Sequence, residues 1–348
     1  MPTINSQKAI QNIFLVIGVI ALGIMGYKLG FVTIFDNIKQ TGWWFIPVIG
    51  IWGVVYALNT YSSRLIIRDE TIESKNIKFG NLYKITVTSF AINAATPVGL
   101  VGGEPYKVME LKSYIGTTKA TSSVILFTMM HIVSHFCFWI ISILLAAMVL
   151  SLKEGWTAML IISLCACLFL TFIFFKGYRK GIVIYTLNLL KIFPFLRKRV
   201  RAFAMKNYDK IIEVDTQIAA LHGEKKVKFY ASLGSEILGR IVSCAEIFFL
   251  LLAFGQPATL NLFIYCILII AFTTFIGNLF FFSPMQIGTR EAAFLVIFGI
   301  LGLPSLWAVS ISLITRIREL FWLFIGMMMM KVTLKDGSIK IDAKEGEK

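Results

Sequence analysis

A segment that breaks apolar sequence occurs twice in this chain. Ala94-Ala95-Thr96-Pro97-Val98-Gly99-Leu100-Val101-Gly102-Gly103-Glu104 returns in outline as Phe281-Phe282-Ser283-Pro284-Met285-Gln286-Ile287-Gly288-Thr289-Arg290-Glu291. Each copy is a hydroxyl residue, a proline, a glycine-bearing turn and a glutamate seven positions after the proline. A broken helix in hydrocarbon leaves backbone groups without water, so such breaks persist only inside protein or beside a wet cavity. Both copies are therefore candidate sites.

The flanking sequence sets the solvent. With 57% hydrophobic and 15% charged residues in 348, and a mean hydropathy of +0.78, the chain falls well short of the roughly one-quarter charged residues of a soluble domain. It reads as an all-α polytopic membrane protein. Apolar stretches near the roughly 20 residues that cross a bilayer lie at 11–30, 44–62, 120–150, 157–175, 229–254 and 304–330. Residues 82–116 and 258–302 hold the repeated break. The first run follows Lys8 as a secretory signal would, but no small-x-small cleavage site follows it, and a retained helix is predicted. The five cysteines, all in apolar segments without ligand spacing, read as small hydrophobes.

Basic loops orient the chain. Residues 176–228 hold thirteen basic residues against four acidic ones, a net charge of +9 out of the whole chain's +15. This segment is predicted to be cytoplasmic, either as a topology signal alone or in contact with anionic headgroups rather than nucleic acid. Ile182, Tyr185, Leu189, Ile192 and Phe193 predict an interfacial helix. A second helix is predicted from Tyr208 to Leu221, with Ile211, Ile212, Ile218 and Leu221 on its apolar side and Pro194 separating the two.

The loop 63–81 is also basic, so the first break enters and leaves on the cytoplasmic face. By parity the second begins and ends outside, as a re-entrant hairpin or as two full spans. That is the pattern of inverted-topology repeats whose broken helices meet near the midplane. The predicted organisation is about six full spans plus two re-entrant or broken-helix hairpins. An N-terminal membrane half (1–175) is followed by basic amphipathic helices (176–228), a C-terminal membrane half (229–331) and a tail (332–348), with both termini cytoplasmic and the protein in the cell inner membrane.

Intramembrane ionisable residues mark a pathway by default. Glu104 and Glu291 follow the bends formed by Pro97, Gly99, Gly102 and Gly103 and by Pro284 and Gly288. There they either cap free helix amides or line a polar cavity. Arg290 adjoins Glu291, Lys107 follows Glu104, and Arg316, Arg318 and Glu319 lie within the last span. Arg318 stands 27 residues after Glu291, as His131 does after Glu104. Arginine presents a planar fork that suits phosphate, the alternative being an internal pair with Glu291 or Glu319. Glu236 and Arg240, at i and i+4, read as a structural bridge. Asn93 and Asn278 read as partners of the interrupted backbone. His131 and His135 share a face but lack a third ligand, so neither a metal nor another cofactor is predicted. A phosphate loop, a nucleophile elbow and an H-E-x-x-H helix are absent from the sequence.

The pattern Thr96-Pro97-x-Gly99-x-x-Gly102-Gly103-Glu104-Pro105, together with Ser283-Pro284-x-x-x-Gly288-x-x-Glu291, the later Gly299 and Gly302, and Arg316 or Arg318, resembles the lysylphosphatidylglycerol synthase transmembrane-region family. This family is also called flippase-like and forms the membrane part of the bacterial multiple peptide resistance factor. The resemblance spans nearly the whole chain. It departs at Thr289-Arg290, where a glycine pair is expected, and at His131, where an arginine is. The resistance factor's acyltransferase-like domain has no room in the soluble segment, so the resemblance implies movement of a polar lipid, with an anionic or aminoacylated headgroup, rather than its synthesis. Alternatives are a membrane-embedded accessory or transferase in lipid or glycan assembly, and an ion-coupled transporter of small solutes. Oligomerisation is left open.

Overall fold

The computed structural model describes residues 31–68, 77–96, 102–150, 154–179, 181–191, 194–224, 226–280 and 288–331, together with Tyr27. The predicted span at 11–30, the bend residues Pro97, Gly99 and Pro284, and the tail 332–348 lie outside these, apart from Tyr27. Every regular element among the described residues is helical, and the protein is an all-α polytopic membrane protein.

The first helix, α1 (Phe31–Thr41), leads through a 3-10 turn at Gly42–Trp44 into α2 (Phe45–Ile67). The first break separates α3 (Phe79–Ala95) from α4 (Gly103–Ile115). The extended backbone of Thr96, at φ −89° and ψ 140°, ends α3, as expected for the residue before a proline. Gly116, at φ 77°, then turns the chain into α5 (Thr117–Val149). After α6 (Glu154–Arg179) come the three helices of the basic segment, α7 (Ile182–Leu190), α8 (Pro194–Lys206) and α9 (Tyr208–Glu224). The C-terminal half holds α10 (Lys226–Ala253), α11 (Leu260–Leu279), α12 (Thr289–Ile300) and α13 (Ser305–Lys331).

Among the described residues, four segments are long and apolar enough to cross a membrane: Gly42–Ile67, Thr117–Val149, Gly155–Lys176 and Leu260–Leu279. Helices α10 and α13 are equally long, at 28 and 27 residues, but carry charges near their centres. At 1.5 Å per residue, the 17 residues of α3 and the 13 of α4 reach about 26 and 20 Å. The 20 residues of α11 reach about 30 Å, and the 12 of α12 about 18 Å. Only α11 of these matches a hydrocarbon core of about 30 Å. The second broken segment thus pairs one full-length helix with a partial one.

Two seams hold the bundle. Along the first, α2 and α10 are zipped by polar contacts. The Ser62 and Ser232 hydroxyls meet at 2.8 Å, Ser235 Oγ donates to Leu58 O at 2.8 Å, and Trp52 Nε1 donates to Glu246 Oε2 at 2.8 Å. Such small and hydroxyl residues let helices approach closely and bond across the interface in lipid. Along the second, Gly326 of α13 lies so close to α3 that a Cβ there would sit 2.4 Å from Ala91 Cβ, and Thr88 Oγ1 donates to Gly326 O at 3.1 Å.

The apolar core is layered. One cluster joins α10 (Cys244 to Leu251), α11, α12 and the first half of α13 (Ala308, Ile311, Ile314). Another joins α3, α4 and the second half of α13 (Leu323, Met327, Met330). A third joins α5 and α10 to α9 through Val214 and Ile218. The charges of α13 fall between the first two clusters, and His131 of α5 falls between residues of all three.

The basic segment differs from expectation in two ways. Pro194 does not merely separate two helices; it begins α8, which carries Arg197, Lys198, Arg199, Arg201 and Lys206. Proline suits a first helical position because its missing amide proton has no intrahelical partner there. On α9, Ile211 and Ile218 are buried as predicted, with Val214 between them, but Ile212 is exposed. Asp215 reaches from α9 to the start of α7, accepting from Val183 N at 2.8 Å and Ile184 N at 3.0 Å. Asp215→Ala removes this cap, a loss of about 1 kcal/mol. Amide exchange at Val183 and Ile184 is then expected to quicken about fivefold, with the α2–α10 seam unchanged.

Candidate functional site

The core charges form two groups. In the first, Arg318 grips Glu246 with two parallel bonds, Nε to Oε1 at 2.8 Å and Nη2 to Oε2 at 3.0 Å. Its guanidinium lies 3.8 Å from the centroid of the Trp52 ring, whose Nε1 donates to the same carboxylate. With side-chain exposures of 4% and 1%, this pair is sealed, and its geometry is the bidentate form that best offsets desolvation. Around it, Arg290 donates to Glu319 Oε1, and Arg318 Nη2 stands 3.9 Å from the same oxygen. Arg316 Nε donates to Glu291 Oε1 at 2.7 Å, while Glu291 Oε2 accepts from Gly288 N at 2.8 Å. One oxygen of Glu291 thus caps α12, helped by Gly288 at φ 84°, and the other holds an arginine. The three arginines and three glutamates balance.

The second group centres on His131. Arg240 Nη2 approaches His131 Nε2 at 3.0 Å, and His131 Nδ1 approaches Glu236 Oε2 at 2.8 Å. A guanidinium has only donors, so Nε2 accepts and the ring proton sits on Nδ1, facing Glu236; the network assigns this tautomer. Arg240 also donates to Ser134 Oγ at 3.0 Å and His131 O at 3.2 Å. Asn59 of α2, with its amide nitrogen turned toward Glu236, donates to that carboxylate at 3.3 Å. The predicted Glu236–Arg240 bridge is therefore made through an inserted imidazole, because i and i+4 side chains on α10 leave a gap that the α5 ring fills.

At the first break, Asn93 bonds the interrupted backbone, as expected: its Oδ1 accepts from Gly103 N at 2.8 Å, and its Nδ2 donates to Glu104 Oε2 at 3.0 Å. Glu104 orients the residue that caps α4. Lys107 is buried one turn later, with its ammonium 3.9 Å from the Phe127 centroid and 5.2 Å from that of Phe90. Among the described residues no carboxylate lies within 4.0 Å of it; the fields of Glu104 and Glu236 reach it from further away. Asn278, at the second break, donates to Thr274 O at 2.7 Å on its own helix.

Aromatic rings join the two groups. From Trp52 the file runs through Tyr56, Phe90, His131, His135 and Trp139, with neighbouring centroids 5.8, 5.4, 5.6, 5.5 and 5.3 Å apart. His135 meets the His131 ring edge-on and the Trp139 ring at a tilt; among the described residues no group of three His, Cys, Asp or Glu side chains could hold a metal. The file ends at an apolar groove of about 230 Å³ between α5, α6, α11 and α12, lined by Trp139, Ala146, Trp156, Phe275, Ile297 and their neighbours.

Sequence reading offers Glu291 or Glu319 as an internal partner for the arginines without assigning either; the fold puts Arg316 on Glu291 and Arg290 on Glu319. That reading missed Glu246, Trp52 and Asn59, whose partners lie on other helices. His131 and Arg318 both find carboxylates on α10, Glu236 and Glu246. No curated protein and no solved structure matches the chain. The family model described as "Lysylphosphatidylglycerol synthase TM region" matches residues 12–326. The chain therefore belongs to the lysylphosphatidylglycerol synthase transmembrane-region family.

Proposed function

We propose that the protein moves a polar lipid, a phospholipid or an aminoacylated phospholipid, between the leaflets of the cell inner membrane. The headgroup threads the charged core and the acyl chains stay in the bilayer. In this reading the two broken segments are inverted-topology counterparts that enter from opposite faces, with the basic segment and both termini cytoplasmic. The observation that carries the reading is an asymmetry in the first charge group. Arg316 is buried, but the carboxylate holding it, Glu291, is 32% exposed; Glu319, which holds Arg290, is 30% exposed. An anion arriving from a cavity can displace such carboxylates and take over the arginines, because phosphate offers the same planar acceptor edge. The sealed Arg318–Glu246 pair serves as a fixed post behind them. Membership of a family named for a lipid-modifying enzyme's membrane region agrees with a lipid ligand.

Purified protein in vesicles is expected to carry fluorescent phosphatidylglycerol between leaflets without nucleotide or aminoacyl donor, read as the fraction protected from dithionite. Glu291→Gln keeps an acceptor for Gly288 N but loses the charge facing Arg316. It should slow translocation at least tenfold in a protein that still purifies as one species. No translocation, together with donor-dependent modification of a lipid, would replace this reading with the transferase one.

A further inference from the structure

We propose that each lipid anion crosses together with one proton carried by His131. This inference rests on the lipid-moving reading and supplies its driving force. In the arrangement described, His131 is neutral, and its bare Nε2 is held by a donor, Arg240 Nη2. Protonating Nε2 turns the acceptor into a donor, so that contact must part, while Arg240 keeps Ser134 Oγ and His131 O. Nδ1 stays on Glu236. The ring is reachable, with 22% of the side chain exposed.

The charges that face His131 are Glu236 and Arg240 from α10 and Lys107 from α4. His135 meets it edge-on from its own helix, while Phe90 of α3 is uncharged. Counting Glu104 beside Lys107, the group sums to zero with neutral His131 and to one positive charge once the ring is protonated. A phosphodiester carries one negative charge. Lys107 and His131 lie against the same two rings, Phe90 and Phe127, so a protonated Nε2 and the Lys107 ammonium, which has no carboxylate within 4.0 Å among the described residues, share one aromatic patch. Anion and proton each raise the other's affinity there, and linkage makes the effect reciprocal. The pair enters and leaves as a neutral unit.

The test uses the full chain in phosphatidylcholine vesicles doped with fluorescent phosphatidylglycerol. One proton per lipid converts a one-unit pH gradient into about a tenfold leaflet ratio at steady state. Because proton and lipid together are neutral, clamping the membrane potential with potassium and valinomycin should leave that ratio unchanged. H131Q cannot gain a proton and should bring the ratio to one, whatever its rate. Wild-type movement that ignores the pH gradient overturns the proposal and leaves the lipid-moving reading intact. Absence of lipid movement overturns that reading itself. Gradient-driven accumulation by H131Q removes the assignment to this residue. The wild-type ratio decides for or against coupling whether or not H131Q folds.

Discussion

Arg318→Ala is expected to destabilise the bundle by about 3 to 5 kcal/mol, because it strands the Glu246 carboxylate where water does not reach. The size follows from burial: Glu246 is 1% exposed and loses two of its three donors, keeping only Trp52 Nε1. Thermal unfolding in detergent measures it. Replacing both partners, Arg318→Met with Glu246→Leu, removes the desolvation cost together with the attraction, so the double variant should recover much of the lost stability. A loss below about 1 kcal/mol in Arg318→Ala would mean that the pair is hydrated and more like a surface bridge. Arg318 reads from sequence either as a phosphate ligand or as the partner of Glu291 or Glu319; the fold pairs it with Glu246 of α10, with Glu319 Oε1 3.9 Å away.

Gly103→Ala is the second large effect. A Cβ at this position would lie 2.3 Å from Ser89 O and 2.8 Å from Asn93 Cγ, and a backbone carbonyl inside α3 cannot give way as a flexible side-chain end would. Overpacking of this kind costs about 1 to 3 kcal/mol. It also pushes Asn93 off the amide it caps, so α4 detaches from α3 at the break. A lowered unfolding temperature together with lost translocation is the expected result. Gly234→Ala, inside α10, is the control: nothing lies within 4 Å of its Cβ, and in a helix interior alanine is favoured over glycine. Equal behaviour of the two variants would dissolve the close-approach account of Gly103.

Much of the architecture was legible because hydrocarbon permits so few structures. The spans at 44–62, 120–150 and 157–175 followed from apolar length, and α3 ends at Ala95, with Thr96, the residue before Pro97, already extended, as proline requires. Within the site, Glu291 and Glu319 were readable as alternative partners for the arginines because all fall near the second break or on the last span, but which arginine each acid holds was not. Glu246 was not, since nothing in the order of residues says which face of α10 meets which face of α13. The inserted His131 was invisible for the same reason: the i, i+4 rule describes an isolated helix surface, and a third helix can occupy the gap. Pro194 does stand between the two predicted helices, but α8 went unread because the same ring that stops one helix starts another.

The seam between α2 and α10 also limits how the protein can move. Its bonds are spread along α2 from Trp52 through Leu58 and Asn59 to Ser62, opposite Glu246, Ser235, Glu236 and Ser232. Sliding one helix past the other by a turn, about 5.4 Å, would part all four levels together. The two helices are therefore in a fixed register and travel as one rod, which tilts or swivels but does not shear.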